Sequence, residues 1–355
     1  MGLCLYGAAE AEAWRTARRS AKAMQAIRLH EIGGPEHLRV DEIPVPQPAP
    51  GEVLVRIHAA ALNHRDLFIT RGLYPKMDLP ATLGSDGAGE IAALGEGVAG
   101  RRVGDEVVID PMLGWGSDPN VWQPGATILG MPHPGTLAQY VAVPAENVCA
   151  KPPHLTMEEA AAIPLCGLTA YRALFTRGGL RAGETVLLPG IGGGVQTFAL
   201  LFAKRAGAIA IVTSSSDEKL QRATSLGADA AFNYAKNPEW QREAKARCVV
   251  DLAVDSSGGE TLAKILGLVR PGGRIVIYGG TRPDATIRLF PLFWNHVTIL
   301  GTSMGSPSDF RAALQAFSGD VKPVVDSVYS FNDVARAMHR MDAAEQFGKI
   351  VIRVT

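Results

Sequence analysis

The chain has 355 residues, with 35 Lys and Arg balanced by 35 Asp and Glu, and a sequence pI near 7.1. At 47% hydrophobic and 20% charged it can bury a large core and is not a disordered chain. Zero formal net charge gives no global field for a polyanion, so neither nucleic acid nor an anionic membrane is expected as a partner.

At roughly 150 residues per domain the length predicts two domains. No stretch approaches the roughly 18 consecutive apolar residues of a membrane helix. Cys4, Cys149, Cys166 and Cys248 lie far apart with no C-x-x-C spacing, so neither a cysteine metal site nor a disulfide framework is expected. With no secretory signal evident, the expectation is free thiols in the cytoplasm.

Residues 1–23 read as an N-terminal extension rich in Ala and Arg, including Arg15, Arg18 and Arg19. A transit peptide is one reading, against which Glu10 and Glu12 stand. A mobile tail or short helix ahead of a domain starting at Met24 is the other.

From Met24 to about Ala150 short alternating runs are broken by Gly and Pro: Ile27 to His30, Arg39 to Ile43, Glu52 to Ala61, Gly87 to Leu94, Glu106 to Asp110 and Ala138 to Pro144. That spacing predicts an antiparallel β domain of barrel or sandwich type. After about Met157 apolar strands alternate with helical periods. The predicted series is strand Thr185 to Leu188, helix Val195 to Ala206, strand Ile209 to Thr213, helix Asp217 to Leu226, strand Val249 to Val254, helix Gly259 to Leu268, strand Gly273 to Tyr278 and strand Thr298 to Gly301. This is the pattern of a doubly wound parallel sheet. The tail carries a short helix, Asp309 to Phe317, and a strand-like Lys349 to Val354 that would return to the first domain.

At Leu188-Pro189-Gly190-Ile191-Gly192-Gly193-Gly194-Val195-Gln196 a buried strand runs into a glycine cluster and then a helix. Glycines let the backbone turn sharply and approach a pyrophosphate, whose charge meets free N–H groups at the helix start. Gly190, Gly192, Gly193, Gly194 and Val195 are therefore candidate dinucleotide ligands. The fingerprint is imperfect: with Gly193 in the middle glycine place, Ile191 takes the first and Gln196 the last, where a small residue packs best.

Where an NAD site carries Asp or Glu for the ribose 2′-hydroxyl, this chain has Ser214-Ser215-Ser216, with Lys219 a turn further on. Hydroxyls and a cation suit a 2′-phosphate, which points to NADP(H), with Ser214, Ser215 and Lys219 as candidate contacts. Helix capping by Ser216 or Asp217 with a solvated Lys219 is the plainer alternative. Gly279, Gly301 and Thr302 follow the ends of parallel strands, where such sheets meet ligands, and are candidates for the nicotinamide carboxamide and ribose; Ser256, after the strand Val249 to Val254, is read as bordering the adenosine or as an ordinary turn.

These residues resemble the medium-chain dehydrogenase/reductase superfamily over essentially all of Met24 to Thr355. The similarity extends to Gly51-Glu52-Val53-Leu54-Val55, Gly95-Glu96-Gly97-Val98 before Gly104-Asp105-Glu106-Val107, and Gly183-Glu184-Thr185-Val186. It includes Leu226-Gly227-Ala228, Arg270-Pro271-Gly272-Gly273-Arg274 and Phe347-Gly348-Lys349. The resemblance implies a GroES-like β-barrel catalytic domain (24–155), a Rossmann NADP-binding domain (156–303) and a C-terminal return to the catalytic domain (304–355).

Zinc-dependent members carry a Cys in the segment matching Ala61 to Asp66, a Gly-His-Glu after the next loop, and a Cys or Asp near the domain junction. Here those places hold Asn63, Gly84-Ser85-Asp86 and Cys166, and no metal site is expected. The stretch Pro111 to Pro134, where many relatives hold a structural zinc on four cysteines, has none and carries Met112, Trp115, Trp122 and Met131 instead. Those side chains are expected to pack over the cleft.

Asn63, Arg71-Gly72-Leu73-Tyr74-Pro75 and Gly167-Leu168-Thr169-Ala170-Tyr171 are similar to the zinc-free branch that includes NADPH:quinone oxidoreductases and enone reductases. By that resemblance Asn63, Tyr74 and Thr169 would lie near the nicotinamide and the substrate carbonyl, and Tyr234 and Lys349 would reach the adenosine phosphate end. The implied activity is hydride transfer from NADPH to a quinone or an activated double bond, in a homodimer. The alternatives are a zinc-assisted alcohol dehydrogenase using Cys166, His64 and Asp86, or a non-catalytic NADPH-binding sensor. His64 with Asp66 is a weaker candidate for a proton relay.

Overall fold

The computed structural model describes residues 22–74 and 77–355; the extension up to residue 21 and Pro75 lie outside the described residues. Alternation of buried and less buried residues builds the first domain. In the strand Glu52–Ala61, Val53, Val55 and Ile57 point inward and are fully buried, as a strand period of two requires. This strand pairs antiparallel with Asp86–Leu94, Tyr140–Pro144 and Lys349–Arg353. It is the centre of a seven-stranded sheet that also takes in Glu106–Ile109, Val148–Ala150 and Val325–Ser330. Two register shifts against Asp86–Leu94 curl it. At Gly89 a Cβ would sit 1.9 Å from the Arg56 carbonyl oxygen, so only glycine lets the two backbones meet there. Ala23–Leu29, Leu38–Pro44 and Ala81–Thr82 form a second, three-stranded sheet.

The sheet of the chain's later half is parallel. Its six strands run in the order Ala230–Asn233, Ile209–Ser214, Thr185–Leu188, Val250–Asp255, Val269–Ile277, Thr298–Gly301. Val186 and Leu188 join one core with Phe198 and Phe202 of the helix Gly194–Arg205, while Leu187 joins another with Trp240, Leu262 and Ile265. Both faces are thus covered by helices, which is why these strands are almost continuously apolar. The strand order reverses between Thr185–Leu188 and Val250–Asp255, and at such a switch point ligands enter the crevice beyond the strands' carboxyl ends.

Several elements were not anticipated from the sequence pattern, among them His64–Thr70 and Val334–Asp342. Ala230–Asn233 and the helix Trp240–Arg247 supply the third βα unit; the strand is four residues long, with Phe232 its single large apolar side chain. Pro164–Tyr171 continues into a π-helical turn, Arg172–Arg177, at the junction between the two sheets. The last strand, Lys349–Arg353, pairs with Glu52–Ala61, so the chain's end closes the first sheet. No described helix is long and apolar enough to cross a membrane.

Candidate active site

The strand Thr185–Leu188 delivers the chain to Gly190 and Gly192, whose φ values of 72° and 120° belong to the left-handed region that glycine tolerates. The helix Gly194–Arg205 starts with no side-chain cap at Gly193, so its first N–H groups remain for a ligand. A Cβ on Gly193 would meet nothing within 4 Å, leaving open space above the loop. Gly194 is crowded instead: a Cβ there would stand 2.7 Å from Cys166 Sγ and 3.0 Å from Lys349 Cδ. Gln196, in the last fingerprint place, is buried; its Nε2 donates to the Val254 carbonyl (2.8 Å), tying the helix to the neighbouring strand where a small residue would have packed.

At the end of the second strand, Ser214 is buried and its Oγ accepts from the Ser216 N–H (3.2 Å), whereas Ser215 is exposed. Ser216 caps the helix Asp217–Ser225 by accepting from the Lys219 N–H. The Lys219 side chain crosses Gly192 and its ammonium donates to the Ala344 carbonyl (2.5 Å). Burial pushes the Lys219 pKa down, against the pull of Asp326. Tyr234 is exposed one residue past the third strand, its N–H bonded to the Ser214 carbonyl, and Lys236 pairs with Asp217. These groups fit the adenosine end of a dinucleotide.

On the other side of the switch point from Ser214, Ser256 Oγ donates to Tyr278 Oη (3.0 Å) across the tops of two strands. Burial raises the Tyr278 pKa against that hydrogen bond, so its hydroxyl stays protonated. Gly279 and Gly301 are exposed at the strand ends. Thr302 Oγ1 and Gln196 Oε1 are buried without partners among the described residues. The open glycine turn, the uncapped helix and these orphaned polar atoms fit a nicotinamide dinucleotide lying across the crevice.

Beside the glycine loop stands the densest polar cluster of the site. Lys349 is 2% exposed, and its Nζ donates to Asn63 Oδ1 (2.6 Å), the Leu62 carbonyl (2.7 Å) and Asp86 Oδ2 (2.9 Å), with Cys166 Sγ at 3.7 Å. Burial works against the charge, but Asp86 and Cys166 outweigh it and hold the Lys349 pKa above the ordinary lysine value. Asp86, fully buried, also accepts from the Leu165 N–H (2.8 Å). Burial pushes the Cys166 thiol up to about 11 despite the neighbouring ammonium, so it is a protonated donor, 3.3 Å from Asn63 Oδ1.

Lys349 therefore departs from expectation. Its stem passes the start of the glycine-loop helix, but its ammonium turns inward to Asn63, not outward to the adenosine phosphate. The reason is electrostatic: Asp86, deep in the barrel sheet, needs a counter-charge, and the long Lys349 stem supplies it from the strand on the other side of Glu52–Ala61 in the same sheet. Sequence reasoning missed this pairing. The available signal was a lone acid in Gly84-Ser85-Asp86 and a lone base at Lys349, 263 residues apart.

Asn63 N-caps the helix His64–Thr70, its N–H bonded to Asp66 Oδ2 (2.8 Å). Burial raises the Asp66 pKa, partly offset by Arg65. Asp66 also accepts from the Gly84 N–H (3.2 Å), so it braces the turn and is not joined to His64 as a relay. The crowded surroundings, and then the Lys349 ammonium, hold the His64 pKa below the ordinary value. Thr169 is buried one turn after Cys166 on the same helix face. The Tyr74 ring lies 5.2 Å from the Arg65 guanidinium, which itself donates to Ser85 Oγ (2.6 Å) and the Leu129 carbonyl (2.8 Å). Ser85 is thus consumed in a structural bracket.

A zinc ion does not fit this arrangement. No group of three or more His, Cys, Asp or Glu side chains converges among the described residues, and the space between Asn63, Asp86 and Cys166 is taken by an ammonium group. The lobe residues also have work of their own: Trp115 is 4% exposed with Arg172 stacked over it, while Trp122 stays partly exposed beside it.

Residues 49–153 match the family described as alcohol dehydrogenase GroES-like domain, and residues 194–319 match zinc-binding dehydrogenase. A zinc-type alcohol dehydrogenase-like protein YogA of Leptosphaeria maculans is 36% identical over 338 residues, covering 89% of this chain and 94% of that protein. A solved NAD-dependent alcohol dehydrogenase is 39% identical with a TM-score of 0.88, covering 94% of this chain and all of that one. The 2-octenoyl-CoA carboxylase reductase CinF, solved with NADP and 2-octenoyl-CoA, is 26% identical with a TM-score of 0.84, over 93% of this chain and 87% of that one. A GroES-like barrel joined to a Rossmann sheet with a glycine loop at its switch point defines an oxidoreductase class. The chain belongs to the medium-chain dehydrogenase/reductase superfamily.

Proposed function

We propose that this oxidoreductase is an NADPH-dependent, zinc-free reductase that hands hydride to a quinone or to an activated, α,β-unsaturated carbonyl compound. The observation that carries the reading is the Lys349 ammonium standing among Asn63, Asp86 and Cys166, where zinc-dependent members of the superfamily carry their ligands. A bound reduced nicotinamide supplies the hydride. Conjugation lets the acceptor spread the arriving negative charge onto its own oxygen, so a hydrogen-bond donor can do what a Lewis acid does for a simple ketone.

Support for NADPH over NADH comes from the end of the second strand, where Ser214 and Ser215 stand and Lys219 crosses the glycine turn. A carboxylate in the Ser214 place would repel a 2′-phosphate. Asn63 and Thr169 then serve the reacting end, and Tyr74, stacked on Arg65, is the further candidate there. We also propose a homodimer. The edge strand Thr298–Gly301 is paired on one side only, and the nearby helix Leu289–Trp294 exposes Leu289, Phe290, Phe293 and Trp294 by 57–67%. The free thiols of Cys149, Cys166 and Cys248 suit the cytoplasm.

The test is a cofactor-oxidation screen of the purified protein over quinones, enones, aldehydes and ketones, with NADPH and NADH, before and after chelation. Turnover of quinones or enones, faster with NADPH and indifferent to chelator, is the expected result, with Ser214→Asp moving the preference toward NADH. Equal use of both nucleotides undoes the phosphate argument. Alcohol oxidation lost with stoichiometric zinc favours the alcohol dehydrogenase reading, for which the 39%-identical relative's name speaks. Tight NADPH binding without turnover favours a sensor.

A further inference from the structure

The Asn63 amide has one end engaged and one end free. Its Oδ1 receives two donors, the Lys349 ammonium at 2.6 Å and the Cys166 thiol at 3.3 Å. An amide NH2 group cannot take that place, because the ammonium 2.6 Å away has no lone pair to offer it. The oxygen is therefore fixed inward, and Nδ2 points away from the cluster. Nδ2 is buried, in a residue 4% exposed, and has no partner among the described residues. An unpaired buried donor is costly, and one that stands beside a ligand-binding loop is placed to meet a ligand.

We propose that Asn63 Nδ2 is the hydrogen-bond donor to the carbonyl oxygen of the acceptor, and that Lys349, clamped by Asp86, is a positioning residue that fixes and polarises the Asn63 amide. This rests on the reductase reading above and gives it a specific donor. Lys349 does not itself touch the acceptor, since its three N–H groups are spent on Leu62, Asn63 and Asp86. A cation held against the amide oxygen draws electron density from the nitrogen and strengthens its N–H groups as donors. During reduction of an enone, the C–H bond of the dihydronicotinamide breaks with its electron pair, which forms a C–H bond at the β-carbon. The displaced π pair moves through the conjugated system to the carbonyl oxygen, the nicotinamide ring is left oxidised, and a proton from water later adds at the α-carbon. The charge that develops on that oxygen is what Asn63 Nδ2 meets.

The same cluster links reaction and cofactor. Cys166 and Lys349 both touch the space over Gly194, so the donor is registered against the loop that seats the nucleotide. A zinc ion bound at the same place would touch the acceptor oxygen directly; here the positive charge acts one bond relay away, through an amide.

The test uses the full chain, NADPH and a cyclic enone, with three variants: Asn63→Ala, the near-isosteric Asn63→Asp, and the charge-neutral double variant Lys349→Met/Asp86→Asn, which avoids stranding a buried carboxylate. The readouts are kcat, KM, NADPH affinity and the carbonyl stretching frequency of the enone bound beside oxidised cofactor. Both Asn63 variants should lose about 10²-fold or more in kcat while NADPH affinity stays within about threefold, a margin well inside the tenfold that 1.4 kcal/mol would represent. The double variant should lose about tenfold in kcat, a loss typical of an altered supporting residue, and should move the carbonyl stretch toward its unbound value. Asn63 variants with parental kcat and an unshifted stretch overturn the proposal. So does a double variant that loses NADPH binding while the stretch and kcat at saturation stay parental, since that places Lys349 on the cofactor. A parent protein that reduces no carbonyl acceptor sinks the reductase reading and this proposal together; an active parent indifferent to Asn63 sinks the proposal alone.

Discussion

The Arg172 guanidinium lies 4.8 Å above the Trp115 ring and bonds Asp309 at 2.6 Å. One side chain thereby joins the lobe that lacks cysteines, the π-helical turn at the domain junction and the helix Pro307–Gln315. Its other nitrogen donates to the Asn120 carbonyl (2.7 Å), and Thr176 completes the shell of Asp309. Where many relatives order this lobe with a metal, here a buried ion pair under an aromatic ring does so.

Removing that cation should be severe. Arg172→Met leaves Asp309 buried and uncompensated, for which the expected loss is about 3–5 kcal/mol. Arg172→Met/Asp309→Asn should recover a large part of it. Chemical denaturation of the two variants checks this, and equal stability of single and double variants would contradict it.

Gly194 should be intolerant of even a methyl group. Gly194→Ala drives a Cβ to 2.7 Å from Cys166 Sγ, an overpacking that costs about 1–3 kcal/mol and displaces the loop that seats the nucleotide. Adding Cys166→Ala opens room for the methyl. Calorimetric NADPH binding should therefore weaken in the single variant and return substantially in the double one.

Asp110 makes stability depend on pH near neutrality. Its carboxyl is 2% exposed and accepts from the Met112 N–H (3.0 Å), and burial pushes its pKa up to about 7, with Arg311 opposing and Asp309 and Glu146 reinforcing. A carboxyl raised in the folded state stabilises most below its unfolded value, and that contribution is lost as pH climbs through about 7. Asp110→Asn should therefore gain on the parent between pH 4 and pH 8, by up to roughly 4 kcal/mol at 1.4 kcal/mol per pKa unit. Thermal melts of both proteins across that range would show the gap opening; a constant gap would refute the assignment.

The exposed aromatic helix supplies the fourth expectation. Phe290 and Trp294 stack at 5.4 Å on a surface beside an open strand edge. Light scattering should give a dimer for the parent, and Phe293→Asp/Trp294→Asp should shift it to monomer at micromolar concentration without loss of NADPH binding. A monomeric parent would end the dimer proposal.

Periodicity and spacing made most of the fold legible. The runs Glu52–Ala61, Thr185–Leu188 and Thr298–Gly301 stand where alternation or unbroken apolarity placed them, and the glycine turn could be read because its backbone needs are local. Ala230–Asn233 was hidden because Ala-Ala-Phe-Asn has a single large apolar side chain, Phe232, and no β-branched residue to mark a strand. In the site, Asn63 was visible as a departure from a ligand pattern and Cys166 as its one remaining echo.

What the sequence determined by itself depends on neighbours along the chain: most strand and helix periods, the glycine turn, the hydroxyls at the end of the second strand and the absence of spaced metal ligands. Only the tertiary structure decided what fills the place between Asn63, Asp86 and Cys166. A buried charge chooses its partner by distance in space, and Lys349 becomes a neighbour of Asp86 only when the last strand closes onto Glu52–Ala61.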